Sequence, residues 1–141
     1  MRLTIIAASV FLPVLILLGG CAIASSAAKV EISCDQFQDS HHSMNNIDLG
    51  IGDTVTIDLC SNPTTGFQWD ENPEISDSSV LKQTNHEFIP PGTDVPGQAG
   101  REIWVFKTLK KGESTVSFEY SQPWEGGMES EWTYTLTVTV R

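Results

Sequence analysis

Few residues in this chain have the types and spacing that chemistry needs. A hydrolytic centre requires a nucleophile beside a base, or a set of metal ligands. The three histidines are His41 and His42, which point to opposite faces if the segment is extended, and the isolated His86. Asp70-Glu71 is an adjacent carboxylate pair at a strand end and reads as a solvated turn rather than an acid/base dyad. Asn62-Pro63-Thr64 is no glycosylation acceptor, because proline holds the middle position. The chain is therefore read as a non-enzyme with no metal site and no cofactor.

What the sequence offers instead is a shaped loop. Ser61-Asn62-Pro63-Thr64-Thr65-Gly66-Phe67-Gln68-Trp69 follows directly on the alternating pattern of Thr54 to Cys60. Pro63 fixes its own φ and pushes Asn62 towards an extended conformation, while Gly66 supplies the positive φ of a tight return. The two threonines between them have few side-chain rotamers. Phe67 and Trp69 fall on the same side of the following strand, where they can anchor the base of the loop. A stiff loop of small residues suits insertion into another molecule's cleft, because little conformational entropy is lost on binding.

The elements that position this loop lie after an export signal. Met1-Arg2 gives a short positive start, Leu3 to Leu18 is almost wholly apolar, and Leu18-Gly19-Gly20 precedes Cys21 as a small-residue cleavage site. The apolar run is interrupted by Pro13 and ends at a glycine pair, so it reads as a removed leader rather than a membrane span. Leu18-Gly19-Gly20-Cys21 also resembles a prokaryotic lipobox. On that reading residues 1–20 are the signal peptide and Cys21 is lipidated. Residues 21–28 carry the anchor and a tether, and residues 29–141 form one domain, exported and held at the cell envelope by lipid. Membrane contact is expected only through that anchor.

The domain keeps seven basic residues against 18 acidic ones, a net charge of −11. Such a surface excludes nucleic acid and direct adhesion to anionic lipid, both of which need cationic patches. With Cys21 assigned to the anchor, Cys34 and Cys60 remain. An even pair in an oxidising compartment reads as a disulfide that would clamp the strand leading into the Asn62 loop. The alternative is two buried thiols in neighbouring strands.

Strand patterns recur along the whole domain: Val30 to Cys34, Ile47 to Leu59 around a turn at Gly50 to Asp53, Phe67 to Asp70, Val80 to Ile89, Ile103 to Thr108, Thr115 to Tyr120 and Trp132 to Val140. Gln38 to Asn46 reads as irregular, and no segment keeps a helical period. The spacing predicts an all-β, immunoglobulin-like antiparallel β-sandwich of about seven strands. Loops joining alternate strands of such a sandwich emerge at one end. The Asn62 loop, the breaker-rich stretch from Pro90 to Gly100 and the turn Gln122-Pro123-Trp124-Glu125-Gly126-Gly127 are therefore expected together at one tip.

These three segments carry a resemblance. Asn62-Pro63-Thr64-Thr65-Gly66-Phe67-Gln68-Trp69, then Gly97-Gln98-Ala99-Gly100 leading into Trp104-Val105-Phe106-Lys107, then Gln122-Pro123-Trp124, are together similar to the chagasin family of cysteine-protease inhibitors, in order and across the domain. The resemblance implies reversible, non-covalent inhibition of a papain-like cysteine protease by three loops in its cleft. Asn62, Pro63, Thr64, Thr65, Gly66 and Phe67 would form the central loop, with Thr64, Thr65 and Gly66 at the nucleophile. Gly97, Gly100 and Arg101 would lie on one flank, and Gln122, Pro123 and Trp124 on the other. Two departures stand out: Gln122 replaces an arginine common before Pro-Trp, and Gln98 and Ala99 dilute the glycine-rich segment. A single-tip inhibitor has no need to assemble, so a monomer is expected. The rival reading is an envelope-displayed immunoglobulin-like adhesion or assembly module, which would have no reason to combine the Asn62 loop with Pro123-Trp124.

Overall fold

Alternate residues of the long strands are buried, and that alternation builds two facing sheets. The structure, a computed structural model, describes residues 24–141; the leader and Cys21 lie outside the described residues. In chain order the elements are β1 (Ala27–Ile32), α1 (Cys34–Asp39), β2 (His42–Leu49), β3 (Thr54–Ser61), a 3-10 turn (Pro63–Thr65), β4 (Gln68–Trp69), β5 (Glu74–Ile75), β6 (Leu81–Ile89), β7 (Gly100–Thr108), β8 (Gly112–Ser121) and β9 (Trp132–Val140). One sheet has the order β1-β3-β7-β6; the other has β2-β9-β8-β4, with β5 also on β8. The expected all-β sandwich is present, with seven strands of six residues or more and two short pieces.

Two strand pairs depart from the antiparallel expectation. β1 runs parallel to β3, with Ala27 opposite Thr54 and Ile32 opposite Leu59. β2 runs parallel to β9, with His42 opposite Thr133 and Leu49 opposite Val140. The chain adds β1 to the edge of the first sheet, crosses through α1, and adds β2 to the edge of the second. Partners so distant in sequence need no tight hairpin, so a parallel register is open to them. β1 also begins two residues inside the stretch read as tether. The Ser26 N–H just before it donates to Asp53 Oδ1 at 2.6 Å, and the Gly50 N–H donates to the other oxygen at 2.7 Å. The turn predicted at Gly50 to Asp53 is thus pinned to the start of the domain.

Helix α1 was not expected, because the alternation of Val30, Ile32 and Cys34 reads as a strand carried through. Ser33 and Gln36 form a capping box: the Ser33 hydroxyl accepts from the Gln36 N–H at 3.3 Å, and Gln36 Oε1 accepts from the Ser33 N–H at 2.9 Å. The helix delivers Phe37, fully buried, between Trp69 and Trp132, with ring centroids 5.2 and 5.0 Å away. It also carries Cys34, which is joined to Cys60 in a disulfide with Cα atoms 5.1 Å apart and a sequence separation of 26. Closing a loop of that length contributes about 3.5 kcal/mol in the chain-entropy view.

The core divides into two aromatic groups. Towards one end Trp104, Phe106, Phe118 and Tyr134 meet edge-on or tilted. Towards the other, Phe37, Trp132, Tyr120 and Phe67 stack in succession, at centroid spacings of 5.0, 4.8 and 5.5 Å. This column stands directly beneath the loop at Asn62.

Candidate functional site

The turn after β3 is short because its own backbone closes it. Thr65 N–H donates to Asn62 O at 3.1 Å and Gly66 N–H to Pro63 O at 3.0 Å, and Gly66 takes φ 83°, the left-handed conformation expected of it. Asn62 is the hub. Its N–H donates to the Tyr120 hydroxyl at 2.9 Å, its Oδ1 accepts from Thr64 Oγ1 at 2.6 Å, and its carbonyl also accepts from Thr65 Oγ1 at 2.7 Å. Both threonine hydroxyls therefore direct their protons back into the loop. Their side chains are exposed, as is Pro63, while Phe67 is half-buried against Tyr120. Burial pushes the Tyr120 phenol above the usual tyrosine range, so it stays a neutral hydroxyl able to accept from Asn62.

The second loop, residues 90–99, is joined to the first by Asn62 Nδ2, which donates to Gly97 O at 2.9 Å. Residues 92–98 are all exposed, and the Gln98 N–H closes the end of the loop onto Val95 O at 3.3 Å. The third loop, residues 122–131, meets the first through Trp124. A Cβ at Gly66 would lie 2.6 Å from the Trp124 ring, so the indole rests on the bare glycine and is still 53% exposed. The three loops predicted to share a tip do so, through one hydrogen bond and one ring contact.

Three of the expected flank residues are placed differently. Gly100 is a buried strand residue at the start of β7; a Cβ there would meet Ile89 O at 2.3 Å, so its role is to let β6 and β7 approach. Arg101 turns away from the tip along the sheet, and its Nη1 lies 2.7 Å from Asp58 Oδ2. Lys29 Nζ reaches the same oxygen at 2.9 Å, and the Asp58 side chain is almost wholly buried. Two cations thus compensate one buried carboxylate, an arrangement of the sheet and not of the loops. Gln122 is half-buried, and its side chain accepts from its own loop.

A buried polar chain lies under the first loop that sequence reasoning missed. Ser61 Oγ donates to Glu102 Oε2 at 2.9 Å, and Glu102 Oε1 lies 2.8 Å from His86 Nε2, with the imidazole stacked on Trp104. His86 is thus not isolated. The carboxylate, rather than the imidazole, is beside the hydroxyl, so this order gives Ser61 no general base of the hydrolase kind. It fixes the end of β3 from which the loop springs. His41 and His42 bind Glu131 O and Thr133 Oγ1 on the far sheet, at 3.1 and 2.8 Å.

Fold and site together define an immunoglobulin-like sandwich that displays three mutually braced loops at one end. The chain belongs to the chagasin family: the family model described as "Chagasin family peptidase inhibitor I42" matches residues 48–138. It is 35% identical over 95 residues to amoebiasin-2 of Entamoeba histolytica, covering 66% of this chain and 75% of that one. It is 29% identical over 87 residues to chagasin of Trypanosoma cruzi, covering 60% and 79%. Among solved structures, the cysteine protease inhibitor EhICP2 of Entamoeba histolytica superposes with a TM-score of 0.63 at 24% identity, covering 83% of this chain and 97% of that chain. PbICP-C, solved in complex with falcipain-2, does so with a TM-score of 0.57 at 18% identity, covering 83% and 100%. These two share the fold. The family is one of peptidase inhibitors, and the chain is accordingly not an enzyme.

Proposed function

We propose that the chain inhibits papain-like cysteine proteases reversibly and without a covalent bond, by seating the Asn62-to-Gly66 turn in the cleft between the second and third loops. The observation that carries this reading is the hub at Asn62. A thiolate attacks a carbonyl carbon only along a defined approach to an accessible carbonyl. In this turn the Asn62 and Pro63 carbonyls are both held by hydrogen bonds to the loop's own N–H groups. For either oxygen to turn to a protease's oxyanion donors it would have to leave that bond, which contributes about 1 kcal/mol, and loosen its neighbours. The loop is therefore held as a closed 3-10 turn rather than as the extended strand a substrate presents. Trp124 adds an exposed aromatic of the kind that dominates binding energy at interfaces.

In this reading Cys21 carries lipid and the domain is an envelope-bound monomer. What supports an outward-facing tip is the direction of β1. It runs parallel to β3, and β3 ends at the tip, so the chain enters β1 at the opposite end. An anchor preceding Ala27 would leave the three loops pointing away from the membrane.

The test is titration of active papain with residues 24–141 at fixed enzyme concentration, followed by recovery of the inhibitor. Stoichiometric loss of activity with intact inhibitor recovered supports the reading. A folded protein that leaves several papain-like proteases fully active overturns it.

A further inference from the structure

The third loop is closed on itself by Gln122. Its N–H donates to Met128 O at 2.8 Å, and its side-chain Oε1 accepts from the Met128 N–H at 3.0 Å. The two residues are thus bonded in both directions, once through backbone and once through side chain. Inside this ring the Gly127 N–H donates to Trp124 O at 3.0 Å. Gly127 is packed so tightly that a Cβ would meet Gln122 O at 2.7 Å, Gln122 Cβ at 2.8 Å and Trp124 O at 3.0 Å. The backbone that carries Trp124 is therefore held from two sides, by Gly127 and by the Gln122–Met128 closure.

We propose that Gln122 is a positioning residue, whose side-chain amide latches the third loop and so fixes where Trp124 stands, without itself touching the protease. The inference rests on the inhibitor reading for its effect on affinity, but the latch itself does not. An acceptor is what the Met128 N–H requires, and glutamine supplies one where an arginine, which has only donors, cannot. In this chain position 122 pre-organises the loop, which raises affinity by lowering the ordering cost of Trp124 on binding.

The experiment uses residues 24–141, as in the papain titration, and reads two quantities, amide exchange at Met128 and the inhibition constant against papain. Gln122→Met keeps length and removes the acceptor. Met128 exchange is expected to accelerate, and inhibition to weaken about fivefold, the effect of one hydrogen bond. Gln122→Glu restores an acceptor and is expected to recover slow exchange and most of the affinity, measured at high salt to screen Glu125, Glu129 and Glu131. In a Trp124→Ala background, Gln122→Met is expected to change inhibition less than twofold, because a latch that acts through Trp124 has nothing left to position. Unchanged Met128 exchange in Gln122→Met overturns the latch. A fivefold loss that persists without Trp124, or tighter inhibition by Gln122→Arg, makes position 122 a direct contact and overturns the positioning role. If the unsubstituted protein does not inhibit, the inhibitor reading fails, and the exchange data still decide the latch.

Discussion

The side-chain amide of Asn62 donates to the carbonyl of Gly97 at 2.9 Å, joining the first and second loops across the tip. The same side chain accepts the Thr64 hydroxyl through Oδ1. Asn62→Asp keeps that acceptor but sets a carboxylate against a carbonyl oxygen. Because the turn still closes through its backbone, melting is expected to fall by only a few degrees, while inhibition weakens about tenfold or more as the second loop is released. The inhibition constant and the melting temperature of Asn62→Asp, taken together, check this; equal affinity would show that the two loops bind independently.

Gly66 and Trp124 form the other link of the tip. Gly66→Ala combines a strained φ of 83° with a Cβ 2.6 Å from the indole. A destabilisation of about 1 kcal/mol is expected from the backbone alone. Affinity should fall further, because the indole must move. Trp124→Ala is expected to cost about 2 kcal/mol of binding with the fold intact. The two effects should be non-additive, since each removes the same contact. A double-mutant cycle on the inhibition constant measures this, and full additivity would mean that the ring contact carries no energy.

Much of this architecture is legible in sequence, because burial writes a period of two along β7, β8 and β9, and because Asn62-Pro63 with Gly66 can do little but turn. Other parts leave no such trace. The capping box of Ser33 and Gln36 was available to be read, but Val30, Ile32 and Cys34 gave a stronger strand signal across the same residues. β2 is an edge strand with mostly exposed side chains, so its polar stretch from His42 to Asn46 resembles a loop. Parallel pairing is a property of backbone hydrogen bonds between segments far apart, and side-chain alternation is the same in either direction. The Asn62 hub is likewise a matter of backbone geometry at hydrogen-bonding distance, which residue types allow but do not specify.

Arg101 pairs along the sheet rather than with the tip loops. The resemblance implies a place on the flank of the tip, and its partner Asp58 lies 43 residues earlier in the chain, on β3. Arg101→Ala leaves the buried Asp58 carboxylate with Lys29 alone. The guanidinium side is half-exposed and Lys29 remains, so a loss of about 1 kcal/mol is expected, less than for a fully buried pair. Inhibition should change less than threefold. Thermal melting and papain inhibition measured on the same sample separate the two roles: an unchanged melt with weakened inhibition would return Arg101 to the interface.

Tyr120 connects the aromatic column to the hub, and its titration gives a pH dependence of known sign. Burial raises its pKa above the ordinary tyrosine range, and burial raises that of Tyr134 as well. The fold thus favours the protonated phenol. The stability this contributes is complete below the unfolded tyrosine value and is lost as pH rises from there through the higher folded value. Melting temperature is therefore expected to hold steady through neutral pH and to drop above about pH 10. Tyr120→Phe removes the acceptor of the Asn62 N–H, costing about 1 kcal/mol at neutral pH. It also removes one of the two buried phenols, so the variant should lose less stability between neutral and alkaline pH than the unsubstituted protein. Melting curves of both proteins across that range test the assignment, and parallel alkaline declines would show that Tyr120 ionises as freely in the fold as in the unfolded chain.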